Sequence, residues 1–311
     1  MHEFNPFQLI GAPKENYMKK LILAAAAAIL AMSVAAQAEP AKFRLCTGNS
    51  QLNYFKAGHI LKSKSSAAQV EVVETKGSID NLDKVTSGEC DGAFVQSDAL
   101  LVYSARNAKA ISSLERAGIL YQEQAHMICN RNVNFGRMVD LNQSHTVAIG
   151  PDGSGANTTW AAFVMADKAR YGKVNTDTRS GLRALSAVAD GSQVQCALIV
   201  TALNSPFMKV DAQKLGDRVV LVGTDDRDMT KGAKDARGQY VYTYGEIPAG
   251  TYPAIQPSGT VYGTKAIGTI QLDAVFVTNN AWIDAHDREY DALLRAFANA
   301  KPEIAKLAQP Q

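Results

Sequence analysis

The segment Gly150-Pro151-Asp152-Gly153-Ser154-Gly155-Ala156-Asn157-Thr158-Thr159 has the residue types of an anion-binding turn. It follows an apolar strand-like run, Thr146-Val147-Ala148-Ile149, and opens a helical pattern. Its glycines let the backbone turn sharply and approach a ligand. The first N–H groups of a helix have no internal partners, and with the helix dipole they attract negative charge. Ser154, Asn157, Thr158 and Thr159 add hydroxyl and amide donors. Read alone, the segment is also an ordinary helix start capped by Ser154. It is not a phosphate-binding P-loop, because Ala156 and Asn157 stand where Lys and Ser/Thr are required. It is not a nucleophile elbow, because Asp152 stands where that motif has glycine.

A second segment of the same type, Thr75-Lys76-Gly77-Ser78-Ile79-Asp80-Asn81-Leu82, also follows a strand and opens a helix. If the two turns face each other, both helix N-termini point into one cleft and hold an organic anion without an arginine. A third, Val95-Gln96-Ser97-Asp98, ends a strand in polar side chains, and ligands of parallel-sheet proteins bind at the carboxyl ends of strands. Catalytic constellations are missing from the pattern. His59, His126, His145 and His286 have no metal-ligand spacing, and His126 lies in an apolar run that marks it as a packed residue. No residue is expected to be catalytic, and no metal or cofactor is implied. An enzyme with Ser154 or a cysteine as nucleophile would need a base that the sequence does not place.

The elements that must position these turns are short strands alternating with amphipathic helices. Strands are predicted at 43–46, 70–73, 93–95, 126–129, 146–149, 197–200, 219–222 and 274–278. Ile79, Leu82 and Val85 share a helix face, as do Trp160, Phe163 and Val164 in a helix running from Ser154 to Gly172. Leu182, Leu185 and Val188 mark another, and Tyr290, Leu293, Leu294 and Phe297 a C-terminal one. This alternation predicts an α/β fold with largely parallel sheets. The order strand, glycine-serine turn, helix, strand occurs twice, as two similar α/β lobes require. Residues 225–268, rich in Gly, Pro, Tyr and Thr, read as irregular or extended chain crossing back between the lobes.

Residues 18–38 have the three parts of a secretory signal peptide. Lys19 and Lys20 begin it, an apolar run of small residues follows, and Ala36-Gln37-Ala38 is a cleavage site. The run falls short of the roughly 20 apolar residues that cross a bilayer. Residues 1–17 read as an upstream artefact ahead of a start at Met18. The chain beyond the leader is about 273 residues with a net charge near +1. That balance gives no electrostatic case for binding nucleic acid or an anionic membrane. Cys46, Cys90, Cys129 and Cys196 are even in number and bound for an oxidising compartment. The sequence leaves open disulfides in any of three pairings, or buried free thiols.

Five stretches in order resemble the TAXI class of solute-binding proteins for TRAP transporters: Thr75 to Leu82, Gly88 to Asp98, Leu120-Tyr121-Gln122-Glu123, Val147 to Gly155, and Ile247-Pro248-Ala249-Gly250-Thr251-Tyr252-Pro253. The resemblance implies a two-lobed type II periplasmic-binding-protein fold, with a hinge and an interlobe ligand cleft. It implies a monomeric periplasmic receptor whose partners are a small-molecule ligand and the membrane subunits of a TRAP permease. The ligands of that class include glutamate and 2-oxoglutarate, so a small carboxylate is expected. By position, the ligand-binding residues would be Asn53, Tyr54, Ser78, Asn81, Gln96, Ser97, Ser154, Gly155, Asn157 and Thr158. The lobes are expected at 39–132 with 255–311, and at 133–254. A receptor for an ABC importer or a sensor kinase is the alternative in the same structural class.

Overall fold

The computed structural model describes residues 40–50, 52–235, 238–260 and 262–308. The expected upstream artefact (residues 1–17) and signal peptide (residues 18–38) lie outside them.

Ten strands are named: β1 Ala41–Gly48, β2 Ala68–Glu74, β3 Gly92–Gln96, β4 Leu114–Asn130, β5 Thr146–Ala148, β6 Asn175–Asp177, β7 Cys196–Thr201, β8 Val219–Val222, β9 Tyr242–Ile247 and β10 Ile267–Asn279. They form one sheet in the order β2-β1-β3-β10-β4-β7-β5-β6, with β8 beside β4 and β9 beside β10. Six helices matter for the site: α1 Asn53–Lys64, α2 Ser78–Thr86, α3 Ser97–Arg106, α4 Gly155–Ala166, α5 Gly181–Asp190 and α6 Asp287–Lys306.

The largely parallel sheet expected from the sequence is in fact mixed. β1 runs parallel to β2 and β3, and β5 parallel to β6 and β7. Between these two sets, β10 is antiparallel to β3, β4 and β9, and β4 is antiparallel to β7 and β8. The side-chain period of a strand is two in either direction, so apolar patterning does not encode which way a neighbour runs. β4 and β10, 17 and 13 residues long, join the two parallel sets into a continuous ribbon.

Each half of the sheet is covered on both faces, as strands with near-continuous apolar runs demand. In the first half, α1 and α6 bury Leu61, Leu293 and Phe297 against Phe43, Phe94 and Phe276. On the other face α2 and α3 bury Leu82, Val85 and Ala99 against Val95 and Val275. In the second half, Trp160 and Phe163 of α4 pack with Met127, Val147 and Leu198. Leu185 and Val188 of α5 pack with Ile128, Ala197 and Leu221 on the opposite face. Ile255 and Ile267, expected in the first lobe, pack in this last core.

Local expectations are modified in three places. The helix expected from Ser154 to Gly172 breaks at Asp167, which caps a short second helix, Lys168–Tyr171. Leu182 is 60% exposed, so the buried face of α5 belongs to Ala184, Leu185 and Val188. Within 225–268, Arg227–Gly232 is helical and β9 pairs with β10 over its whole length.

The cysteines are two disulfides, Cys46–Cys90 and Cys129–Cys196, which settles the alternatives left open by spacing. Cys129 and Cys196 sit opposite each other in the β4–β7 register. His126 is packed, as expected. Its Nε2 lies 3.0 Å from the Tyr252 hydroxyl, and burial lowers its pKa to about 4, which keeps the ring neutral.

Candidate functional site

The two glycine-serine turns do face each other. A Cβ placed on Gly77 would stand 3.3 Å from the Gly153 carbonyl oxygen and 4.0 Å from Cα of Ser154. Gly77 has φ +134° and Gly153 φ +78°, values that L side chains rarely adopt, so the close approach depends on glycine at both. Gly77 is the N-cap of α2 and offers no side-chain cap, so the first amides of α2 keep their donor capacity. Ser154 caps α4 by accepting from the Asn157 amide at 3.4 Å, and its hydroxyl donates to the Ile149 carbonyl at 3.4 Å. Gln96, the residue before α3, brings a third helix N-terminus to the same place.

Gln96 is the hub. Its backbone N–H donates to Ser78 Oγ at 3.1 Å. Its side-chain amide lies over Gly155, where a Cβ would meet Gln96 Oε1 at 2.8 Å. Its Nε2 donates to Glu123 Oε2 at 3.1 Å, and the Tyr54 hydroxyl donates to the same oxygen at 3.2 Å. The chain Ser78, Gln96, Glu123 and Tyr54 therefore links α2, β3, β4 and α1, and it touches α4 at Gly155. Gln96 and Glu123 are buried, and Gln96 Oε1, Tyr121 OH and Thr158 Oγ1 are buried with no partner of their own. Buried polar groups are normally satisfied, so this concentration marks a place built to be completed by something else.

Electrostatics sharpen that picture. Burial pushes the Glu123 carboxyl up to about 7, opposed by the hydrogen bonds from Gln96 and Tyr54. Asp98, at the start of α3, is pushed up to about 6 by burial. Its Oδ2 accepts from Thr159 of α4 at 2.6 Å and from Tyr242 of β9 at 2.9 Å, so it clasps one half of the molecule to the other. Burial also raises Tyr54 and Tyr121 well above the usual phenol range, with Glu123 a further cause in both.

Of the ten residues expected to bind ligand, Tyr54, Ser78, Gln96, Gly155 and Thr158 are brought together here. Ser97 adjoins them, with its hydroxyl accepting from the Asp273 amide and directed at the Val241 carbonyl. Ser154 and Asn157 shape the α4 turn, Asn157 Oδ1 accepting from the Gly153 amide at 3.3 Å. Asn53 and Asn81 have other work. Asn53 donates to the Leu307 carbonyl, and Asn81 donates to the Thr47 and Phe94 carbonyls, pinning α2 to β1 and β3. Glu123, Tyr121 and Tyr242 were not among the expected ligand-binding residues, and Asp98 was singled out only as part of the polar segment that ends β3. The visible trace was the polar interruption Gln122-Glu123-Gln124 inside an apolar strand.

A cavity of about 410 Å³ opens beside the turns, lined by the charged side chains Lys76, Asp80, Asp83, Arg106 and Asp152 together with Ile79, Val102, Gly153, Asn157, Thr158 and Ala161. A larger depression, about 640 Å³, runs along α5 at Leu182, Arg183 and Ser186. None of the unpartnered buried polar atoms line it, whereas Thr158 lines the smaller cavity, so the candidate site is the Gln96–Glu123 cluster, which itself lines neither cavity, together with the smaller cavity that adjoins it at Gly153 and Thr158.

The sequence profile of the NMT1-like family matches residues 54–286, and the chain belongs to that family. Solved structures share its fold at low identity. A zinc-bound ligand-binding component of an ABC-type import system from Staphylococcus aureus is 12% identical, with TM-score 0.50 over 87% of this chain and 80% of that one. The periplasmic aliphatic sulphonate binding protein SsuA from Escherichia coli is 14% identical, with TM-score 0.50 over 85% and 73%. The alkanesulfonate-binding protein SsuA from Xanthomonas axonopodis pv. citri, bound to MOPS, is 15% identical, with TM-score 0.50 over 85% and 74%. The fold is thus the two-lobed α/β architecture of periplasmic binding proteins, as expected.

Proposed function

We propose that this member of the NMT1-like family is a monomeric periplasmic solute receptor. It captures a small organic solute bearing a carboxylate between its two lobes and delivers it to a membrane permease. The observation that carries this reading is the meeting of the α2 and α4 N-termini across Gly77 and Gly153, with buried, unpartnered polar atoms of Gln96 and Thr158 beside them. Helix N-termini bind carboxylates through free amides and the dipole, without a basic side chain. No lysine or arginine is buried among the described residues.

β4 and β10 pass through both halves and act as the hinge, and the Asp98 clasp closes when α4 swings onto α3. Ligand shifts this equilibrium by its differential affinity for the closed form. The resemblance to TAXI proteins supports a TRAP-type permease as partner. A second reading, an ABC importer, is supported by the related folds, whose names include ABC import components. The two divide on energy source. Transport into vesicles holding the matching permease would follow an ion gradient in the first case and ATP in the second.

The binding reading is tested by thermal-shift screening of C4–C6 organic acids and amino acids. A true ligand at a hundredfold excess over Kd stabilises the protein by about 2.7 kcal/mol. If no carboxylate raises the melting temperature at millimolar concentration, the carboxylate reading falls.

A further inference from the structure

Two carboxyl groups are buried behind the helix N-termini, outside the lining of the adjoining cavity. Asp98 and Glu123 are buried, while no lysine or arginine is buried among the described residues. Three helix N-termini suit a carboxylate, yet a buried carboxyl of the protein stands beside them, linked to the α4 N-terminus through one side-chain amide. That amide, from Gln96, puts its nitrogen on Glu123 Oε2 and lies with Oε1 nearest Gly155. The acid and the helix terminus are therefore separated by the span of a single amide group. An ammonium and a carboxylate carried on one carbon have that spacing.

The walls around Glu123 point the same way. From α1, Tyr54 donates to it, and from β4, Tyr121 lies close enough for the Glu123 charge to raise its pKa. The two rings are 6.2 Å apart and tilted by 45°. An acid beside two aromatic rings is a favourable setting for an ammonium ion, which draws on both the carboxylate and the ring faces. From β3 and α3, the facing groups are Gln96 and, at longer range, Asp98. Among the buried atoms without partners, the Tyr121 hydroxyl accepts as readily as it donates. A dicarboxylate or keto acid would bring negative charge against Glu123 with no buried lysine or arginine among the described residues to offset it.

We propose that Glu123, beside Tyr54 and Tyr121, is the ammonium-binding residue of this site. The solute is then an α-amino acid, with its carboxylate at the N-termini of α2 and α4 and its amino group on Glu123. Deaminated acids of the same skeleton are rejected. This rests on the solute-receptor reading above and narrows it.

The test measures Kd by calorimetry for matched sets: L-glutamate, 2-oxoglutarate and glutarate, and L-leucine with 4-methyl-2-oxopentanoate. Wild type and Glu123→Gln are compared between pH 5.5 and 8.5, with the melting temperature of each sample recorded to confirm folding. Expected is a preference of about 100-fold for an amino acid over its keto acid, abolished in E123Q, since an unpaired charged partner costs that much. Wild-type affinity for the amino acid should rise as pH rises through 7, where Glu123 ionises, and E123Q should be flat. Equal or tighter binding of the keto acid or dicarboxylate overturns the amine assignment and leaves the receptor reading standing. Unchanged amino-acid binding in E123Q overturns it as well. Binding of no member of either set counts against both.

Discussion

Glu123→Gln raises the melting temperature of the solute-free protein at pH 8 and barely changes it at pH 4.5. The folded state holds the Glu123 proton up to about 7, against an ordinary value of 4.5. A carboxyl raised on folding binds more protons folded than unfolded between those two values, so stability falls as pH rises from 4.5 to 7. Above pH 7 the full penalty applies, about 3 kcal/mol at 1.36 kcal/mol per unit. Glutamine is isosteric, stays neutral, and its carbonyl still accepts from Tyr54 and Gln96. For a chain of this size the gain corresponds to roughly 5–10 °C. Differential scanning calorimetry at the two pH values checks it. Equal melting temperatures at pH 8, or a less stable variant there, would show that Glu123 is not an uncompensated buried acid. A residue that destabilises its own fold at working pH fits the role proposed for Glu123, the usual trade between stability and function.

Removing the Cys129–Cys196 disulfide by the double substitution Cys129→Ala with Cys196→Ala is expected to cost about 4 kcal/mol. The bridge closes a loop across a sequence separation of 67, and on the chain-entropy account that is the stabilisation from constraining the unfolded chain. The cysteines are fully buried and opposed on neighbouring strands, so two alanines there also leave lost packing. The melting temperature should fall by roughly 8–16 °C. A fall under 2 °C would mean that the β4–β7 pairing is held without the bridge. Because β4 is a hinge strand in the proposed receptor, the bridge also anchors the end of the strand that carries Glu123.

The site was half legible in the sequence. Both glycine-serine turns announce themselves locally, since a glycine-serine pair after an apolar run and before a helical period needs no knowledge of the rest of the chain. Ser78, Gly155 and Thr158 lie in them and Gln96 in the third polar segment, whereas Tyr54 came only from the family resemblance. Asn53 did not join them because it adjoins Tyr54 in sequence but lies about 100° around the helix, where it meets the C-terminal end of the chain at Leu307. Glu123 was hidden for the opposite reason. A Gln-Glu-Gln run reads as solvated strand, and its burial is created by Tyr54 and Gln96, 69 and 27 residues away. The same limit applies to the fold. Strand positions follow from apolar runs, whereas the antiparallel placement of β4 and β10 between two parallel sets, and which cysteine meets which, are long-range facts with no local signature.

The central claim is that solute is held where α2, α4 and Glu123 meet. A crystal structure of protein purified without denaturation, carrying its native solute or soaked with the tightest ligand from the screen, tests it most directly. The account predicts ligand density bridging the Ser78 and Gly155 amides with its carboxylate and reaching Glu123 with its amine, with the Gln96 side chain moved aside. Density seated instead in the depression along α5, or a ligand that leaves Glu123 and Gln96 in contact and untouched, would contradict it.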